Sequence, residues 1–71
     1  MKYYFGINMT SQEYLPYYQG KAQSIIVVSN EGVRVEFPAM HLRNYLTASG
    51  IRGQFCLQTR DNKFLSLQKI A

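Results

Sequence analysis

Apolar and polar residues alternate at the start of the chain. Tyr3, Phe5, Ile7 and Met9 share one parity and Tyr4, Gly6 and Asn8 the other, which is the period-two pattern of a half-buried strand. Thr10-Ser11-Gln12-Glu13 then reads as a capping box, in which the Thr10 hydroxyl accepts from the Glu13 amide and the Glu13 carboxylate reaches back. Pro16 has no N–H and disfavours helix at Leu15, so the spacing predicts a short or kinked helical segment over 11–19, closed by Gly20. The run Ser24-Ile25-Ile26-Val27-Val28-Ser29 is β-branched and apolar on both faces, which suits a central strand better than an edge.

Register follows from the turns. Asn30-Glu31-Gly32 makes a three-residue loop that pairs Ser29 with Val33, Val27 with Val35 and Ile25 with Phe37, collecting the large side chains on one face. Pro38 suits the first helical position, and Ala39, Leu42 and Leu46 continue as a helical apolar stripe. Gly50 ends this second helix, where a Schellman closure would set Ile51 on Leu46. A second three-residue loop, Arg60-Asp61-Asn62, pairs Thr59 with Lys63, Leu57 with Leu65, Phe55 with Leu67 and Cys56 with Ser66. Placing Gly20 over Gly50 superimposes the two helix-plus-hairpin stretches, so they read as one module used twice.

The elements predict an α+β fold in the order β-α-β-β-α-β-β, a single compact domain over 1–71 with a largely antiparallel sheet and two three-residue-loop hairpins. The short helices are expected to cover the face that carries Ile25, Val27, Val33, Val35, Phe37, Phe55, Leu57, Leu65 and Leu67. At 71 residues such a domain is marginal without help. Cys56 is the sole cysteine, so a disulfide within the chain cannot supply that help, and the usage points to a cytoplasmic setting. No apolar run approaches the ~20 residues of a membrane span, and MKYYFGINMT lacks the shape of a signal peptide.

Charge adds less than its total suggests. The formal net charge is +4, but the basic residues are scattered singly with no basic run, and a small basic protein needs no polyanion to explain it. Catalysis finds little support. His41 belongs to the second helix and Cys56 to a strand, Glu13, Glu31, Glu36 and Asp61 form no pair, and no phosphate-binding glycine motif occurs. A tetrahedral metal site needs more Cys and His than are present. The expectation is a non-enzymatic protein with no catalytic residue, cofactor or metal.

Two features point to contacts instead. Tyr14-Leu15-Pro16-Tyr17-Tyr18-Gln19-Gly20-Lys21 is rich in tyrosine next to a lysine, and Tyr17, Tyr18 and Lys21 could anchor a partner. The competing reading is that Tyr14, Leu15 and Tyr18 pack over the sheet while Tyr17 shows only its hydroxyl. The far side of the central hairpin carries Ile26 and Val28 beside Arg34 and Glu36, and the last hairpin is expected to add Phe64 there. With Arg43 from the helix these form a candidate interaction surface for an unknown protein partner or for self-association as a homodimer. The alternative is a nucleic-acid-binding accessory domain using Tyr17, Tyr18, Lys21, Arg34, Arg43 and Arg52.

KYYFGINM, YLPYYQG, VRVEFPAMHLRNYLTASGIRGQF and KFLSL together cover nearly the whole chain. On these stretches, FPAMHLRNYL followed by GIRGQF above all, the sequence resembles a small bacterial family catalogued as a domain of unknown function, number 2835. The resemblance implies a compact stand-alone domain and no established activity.

Overall fold

In the computed structural model, which describes residues 1–71, the first alternating run forms strand β1 (Lys2–Met9). Phe5 and Ile7 are buried and Tyr3 and Met9 half-buried, while Lys2, Tyr4, Gly6 and Asn8 face out. The capping box starts helix α1 (Ser11–Tyr18): the Glu13 N–H donates to Thr10 Oγ1 at 3.1 Å and the Thr10 N–H to Glu13 Oε1 at 2.9 Å. Pro16 lies inside this helix, which ends two residues later. A Schellman motif closes it around Gly20 (φ 79°), with the Lys21 N–H donating to the Pro16 carbonyl at 2.9 Å and the Gly20 N–H to that of Tyr17 at 3.2 Å.

Strands β2 (Ser24–Val28) and β3 (Arg34–Pro38) pair antiparallel, Ile25 with Phe37 and Val27 with Val35, as the turn arithmetic predicts. Gly32 supplies the positive φ, 86°, and the Ser29 hydroxyl accepts from the Val33 N–H at 3.1 Å. A 3-10 helix, Ala39–Tyr45, follows. Strands β4 (Ile51–Arg60) and β5 (Lys63–Lys69) complete the chain.

The fold is α+β with antiparallel sheets and two short helices, but the strands form two sheets. One is three-stranded in the order β1-β4-β5, and the other is β2-β3 alone. The core lies between them: Phe5 stacks near Phe55 with ring centroids 6.0 Å apart and meets Phe37 of the hairpin at 5.8 Å. Tyr14, Leu42, Ile51 and Leu57 fill the space around them and are essentially inaccessible to solvent. The β2 run, read above as a central strand, therefore belongs to a two-stranded sheet in which neither edge meets a further strand.

Three more expectations are corrected. The second helix is 3-10 rather than α, with Pro38 as its N-cap. Ala39, Leu42 and Tyr45 recur at intervals of three, the spacing that aligns side chains on a 3-10 helix, so Tyr45 joins the expected Leu46 in packing against the core. Its ring meets Phe55 edge-on at 5.3 Å, and its hydroxyl donates to the Leu67 carbonyl at 2.9 Å. No Schellman closure follows: Leu46 is extended, and Thr47 to Gly50 form a tight turn whose Gly50 (φ 111°) lies against the Met9 carbonyl and the Thr10 backbone. Any Cβ there would collide with backbone, so this glycine lets β4 start beside the end of β1.

The last correction concerns the β4–β5 hairpin. Arg60 pairs with Lys63, Thr59 with Phe64 and Leu57 with Leu67, so the loop has two residues and a bulge falls at Leu65. Asp61 (φ 54°) and Asn62 (φ 63°) are both left-handed, as a type I′ turn requires. The slip turns Phe64 toward the core and leaves Leu65 52% exposed, reversing the predicted orientation of both. Val33, also expected inside, is 47% exposed at the end of its hairpin. Leu65 and Val35 are thus not equivalent, and the proposed module is not repeated in register.

Candidate interaction surface

The residues singled out from sequence fall into two adjoining groups, with Phe64 and Arg52 apart from both. Tyr17 is half-buried with its ring 5.8 Å from that of Tyr14. Tyr14 is buried, its hydroxyl donating to the Ala39 carbonyl at 2.8 Å, so helix α1 is pinned to the start of the 3-10 helix. Burial pushes the Tyr14 phenol above its ordinary pKa of 10.0, with nearby Arg43 opposing the shift. Tyr18 and Leu15, which competing packing would have placed on the sheet, are 53% and 45% exposed. The Arg43 guanidinium lies 4.9 Å from the centre of the Tyr18 ring, and its Nη2 donates to the Tyr18 carbonyl at 3.4 Å. Lys21 is exposed just beyond the helix.

These residues border a groove of about 320 Å³ lined by Tyr17, Ala22, Pro38, Met40 and Arg43. Sequence reasoning missed Met40, 66% exposed, and Pro38. The period-three spacing of Ala39 and Leu42 would have found Met40, since it puts residue 40 on the outer side of a 3-10 helix. Pro38 continues the groove onto the hairpin: with Ser24 opposite, it shares a parity with Ile26, Val28, Arg34 and Glu36. Ile26 and Val28 are 52% and 59% exposed, opposite Glu36 and Arg34 respectively.

Phe64 does not join them. It stacks on His41, ring centroids 3.6 Å apart and planes within 5°, on the inward side of β5. His41, placed on the second helix by the sequence, is half-buried by this contact. Arg52 is likewise remote from the tyrosines in topology, on the outward parity of β4 opposite Asn8. Cys56 pairs with Tyr4 and Gln68 on that same outward parity, so its thiol and the His41 imidazole lie on opposite faces of the three-stranded sheet. No three His, Cys, Asp or Glu side chains gather closely enough to hold a metal ion. No helix is long and apolar enough to cross a membrane.

The arrangement offers an apolar strip running from Met40 through Pro38 to Ile26 and Val28, with charges of both signs beside it. A family model described as a protein of unknown function (DUF2835) matches residues 1–70 of the chain. No curated protein and no solved structure matches it.

Proposed function

The chain belongs to the DUF2835 family, whose description names no activity, and from that premise we propose that it is a non-enzymatic interaction module that pairs with a second copy of itself through strand β2. The observation that carries this reading is the mismatch between the sequence of β2 and its place. Ser24-Ile25-Ile26-Val27-Val28 has no charge, proline or glycine, yet it has only one neighbouring strand. Edge strands are normally blunted by charge, proline or a bulge. Strand β3 has such protection in Arg34, Glu36 and Pro38, whereas β2 has none. Beyond the pairing with β3, no backbone hydrogen bond engages Ile25 to Val28.

Antiparallel pairing of β2 with its copy across a two-fold axis satisfies that edge and yields a four-stranded sheet, β3-β2-β2-β3. The exposed Ile26 and Val28 of both copies then adjoin in one apolar stripe, and Met40 and Pro38 extend it toward the groove beside Tyr17. Oligomerisation also gives a small domain the additional buried area it lacks.

Sedimentation equilibrium tests this directly. A concentration-dependent dimer is expected, and Ile26→Lys with Val28→Lys is expected to give a monomer with an unchanged circular dichroism spectrum. A strict monomer at the highest attainable concentration, or a dimer indifferent to these substitutions, overturns the reading.

A further inference from the structure

The outward face of the β1-β4-β5 sheet carries Lys2, Arg52, Arg60 and Lys63 and no Asp or Glu. Elsewhere Lys21, Arg34, Arg43 and Lys69 are balanced in number by Glu13, Glu31, Glu36 and Asp61. The whole formal excess of +4 therefore resides on one face of one sheet. The nearest acids are at its rim: Asp61 in the turn between Arg60 and Lys63, and Glu13, which is close enough to Arg52 to feel its charge.

We propose that this face binds single-stranded nucleic acid, its cations meeting phosphates and Tyr4 stacking on a base. Tyr4 is 40% exposed amid polar neighbours, and beside it the Gln54 side chain lies across Gly6, which has no side chain of its own to hold it off. Asn8, Gln54 and Gln68 are exposed on the same parity, and their amides can both donate to and accept from base edges. Next to Gly6 a broad, shallow hollow of about 570 Å³ opens between Asn8, Arg52, Gln54 and Ala71, where a splayed base could rest.

Charge complementarity selects a polyanion, and the remaining chemistry selects among polyanions. A protein interface needs a contiguous desolvated apolar centre; on this face Tyr4, the bulged Leu65 and the terminal Ile70 are instead set apart among cations and amides. A duplex hides its base faces, so an exposed ring placed for stacking has its use with unpaired bases. The surface is separate from β2, and the binding does not depend on the dimer.

Fluorescence anisotropy with a labelled oligothymidylate of about 12 nucleotides tests the proposal, a length within the usual site sizes of small β domains. Binding is expected, with log K falling against log salt at a slope of about −3 if all four cations neutralise phosphates. Arg52→Gln with Arg60→Gln should flatten that slope by about 1.4, and lysine at both positions should restore it. Tyr4→Ala should weaken binding about tenfold and leave the slope alone. Lys21→Gln with Arg43→Gln should change neither, and the Ile26→Lys/Val28→Lys variant should bind as the parent does. No anisotropy change at low salt overturns the proposal. So does a slope that follows Lys21 and Arg43 instead, equal affinity for a duplex of the same length, or a preference for anionic lipid vesicles over the oligonucleotide.

Discussion

The two hairpins of this chain reverse an antiparallel pair over almost the same number of residues, with opposite consequences. In β2–β3, one left-handed residue, Gly32, completes a three-residue loop and the alternation of side chains continues unbroken. In β4–β5, two left-handed residues, Asp61 and Asn62, make a two-residue turn, and a bulge at Leu65 then restores Leu57 opposite Leu67. The first hairpin keeps its apolar residues on both faces and stands with a bare edge. The second lies within a larger sheet and shows the solvent a polar, cationic face. Turn chemistry thus decides more than the local bend, because a one-residue difference selects which side chains reach the surface.

The largest expected effect separates the two residues that the register distinguishes. Leu57→Ala should destabilise by about 3 kcal/mol in urea denaturation, as usual for a leucine with no solvent access, while Leu65→Ala should cost under about 0.5 kcal/mol. Equal costs would mean that the bulge is absent and both leucines face the core.

A middle-sized effect probes the turns themselves. Asn62→Ala and Gly32→Ala should each cost about 1 kcal/mol, since both impose a left-handed conformation on alanine, with open space around Gly32 ruling out a steric cause. Asn30→Ala, at a residue without positive φ, should be nearly neutral, and its N–H would still donate to the Tyr4 carbonyl.

An effect of the same size, but dependent on pH, concerns the helix that leads into the first hairpin. Hydrogen bonds from the Thr10 backbone and side chain hold the Glu13 carboxyl below its ordinary 4.5, with a lesser contribution from Arg52. Because the folded pKa is depressed, the stabilisation is present above pH 4.5 and lost as pH falls through the lower folded value. Thr10→Ala should cost about 1 kcal/mol at neutral pH. It should also flatten the acid limb of stability against pH, which thermal melts across that range would read. Tyr14 works the other way: its raised phenol pKa makes stability fall as pH climbs above 10.0, and Tyr14→Phe should remove that alkaline slope.

Much of this fold is legible residue by residue. Thr10 and Glu13 announce the start of α1, Gly20 its end, and Gly32 the register of the first hairpin, because each acts on atoms a few bonds away. The second hairpin misleads because Phe64 and Leu65 are adjacent and both apolar, so a three-residue loop and a two-residue loop with a bulge each set Leu57 opposite a leucine. Asp61-Asn62, two residues tolerant of left-handed backbone in succession, was the available signal for the shorter turn. The candidate surface was legible in part: Tyr17, Tyr18, Arg43, Ile26 and Val28 were identifiable, Met40 could have been read from its place off the Ala39–Leu42 stripe, and Phe64 depended on the bulge.

The sequence by itself determined the strands, the capped helix, the first hairpin and the α+β class, since alternation, caps and turns are short-range properties. Tertiary structure alone decided that β4 lies between β1 and β5, that β2 is left with an open edge, and that His41 holds Phe64 inward. It also decided that cations scattered along the chain share one face. Partners of a strand are chosen across the molecule by competing burials of similar size, so no local stretch encodes which edge stays open or where separated charges meet.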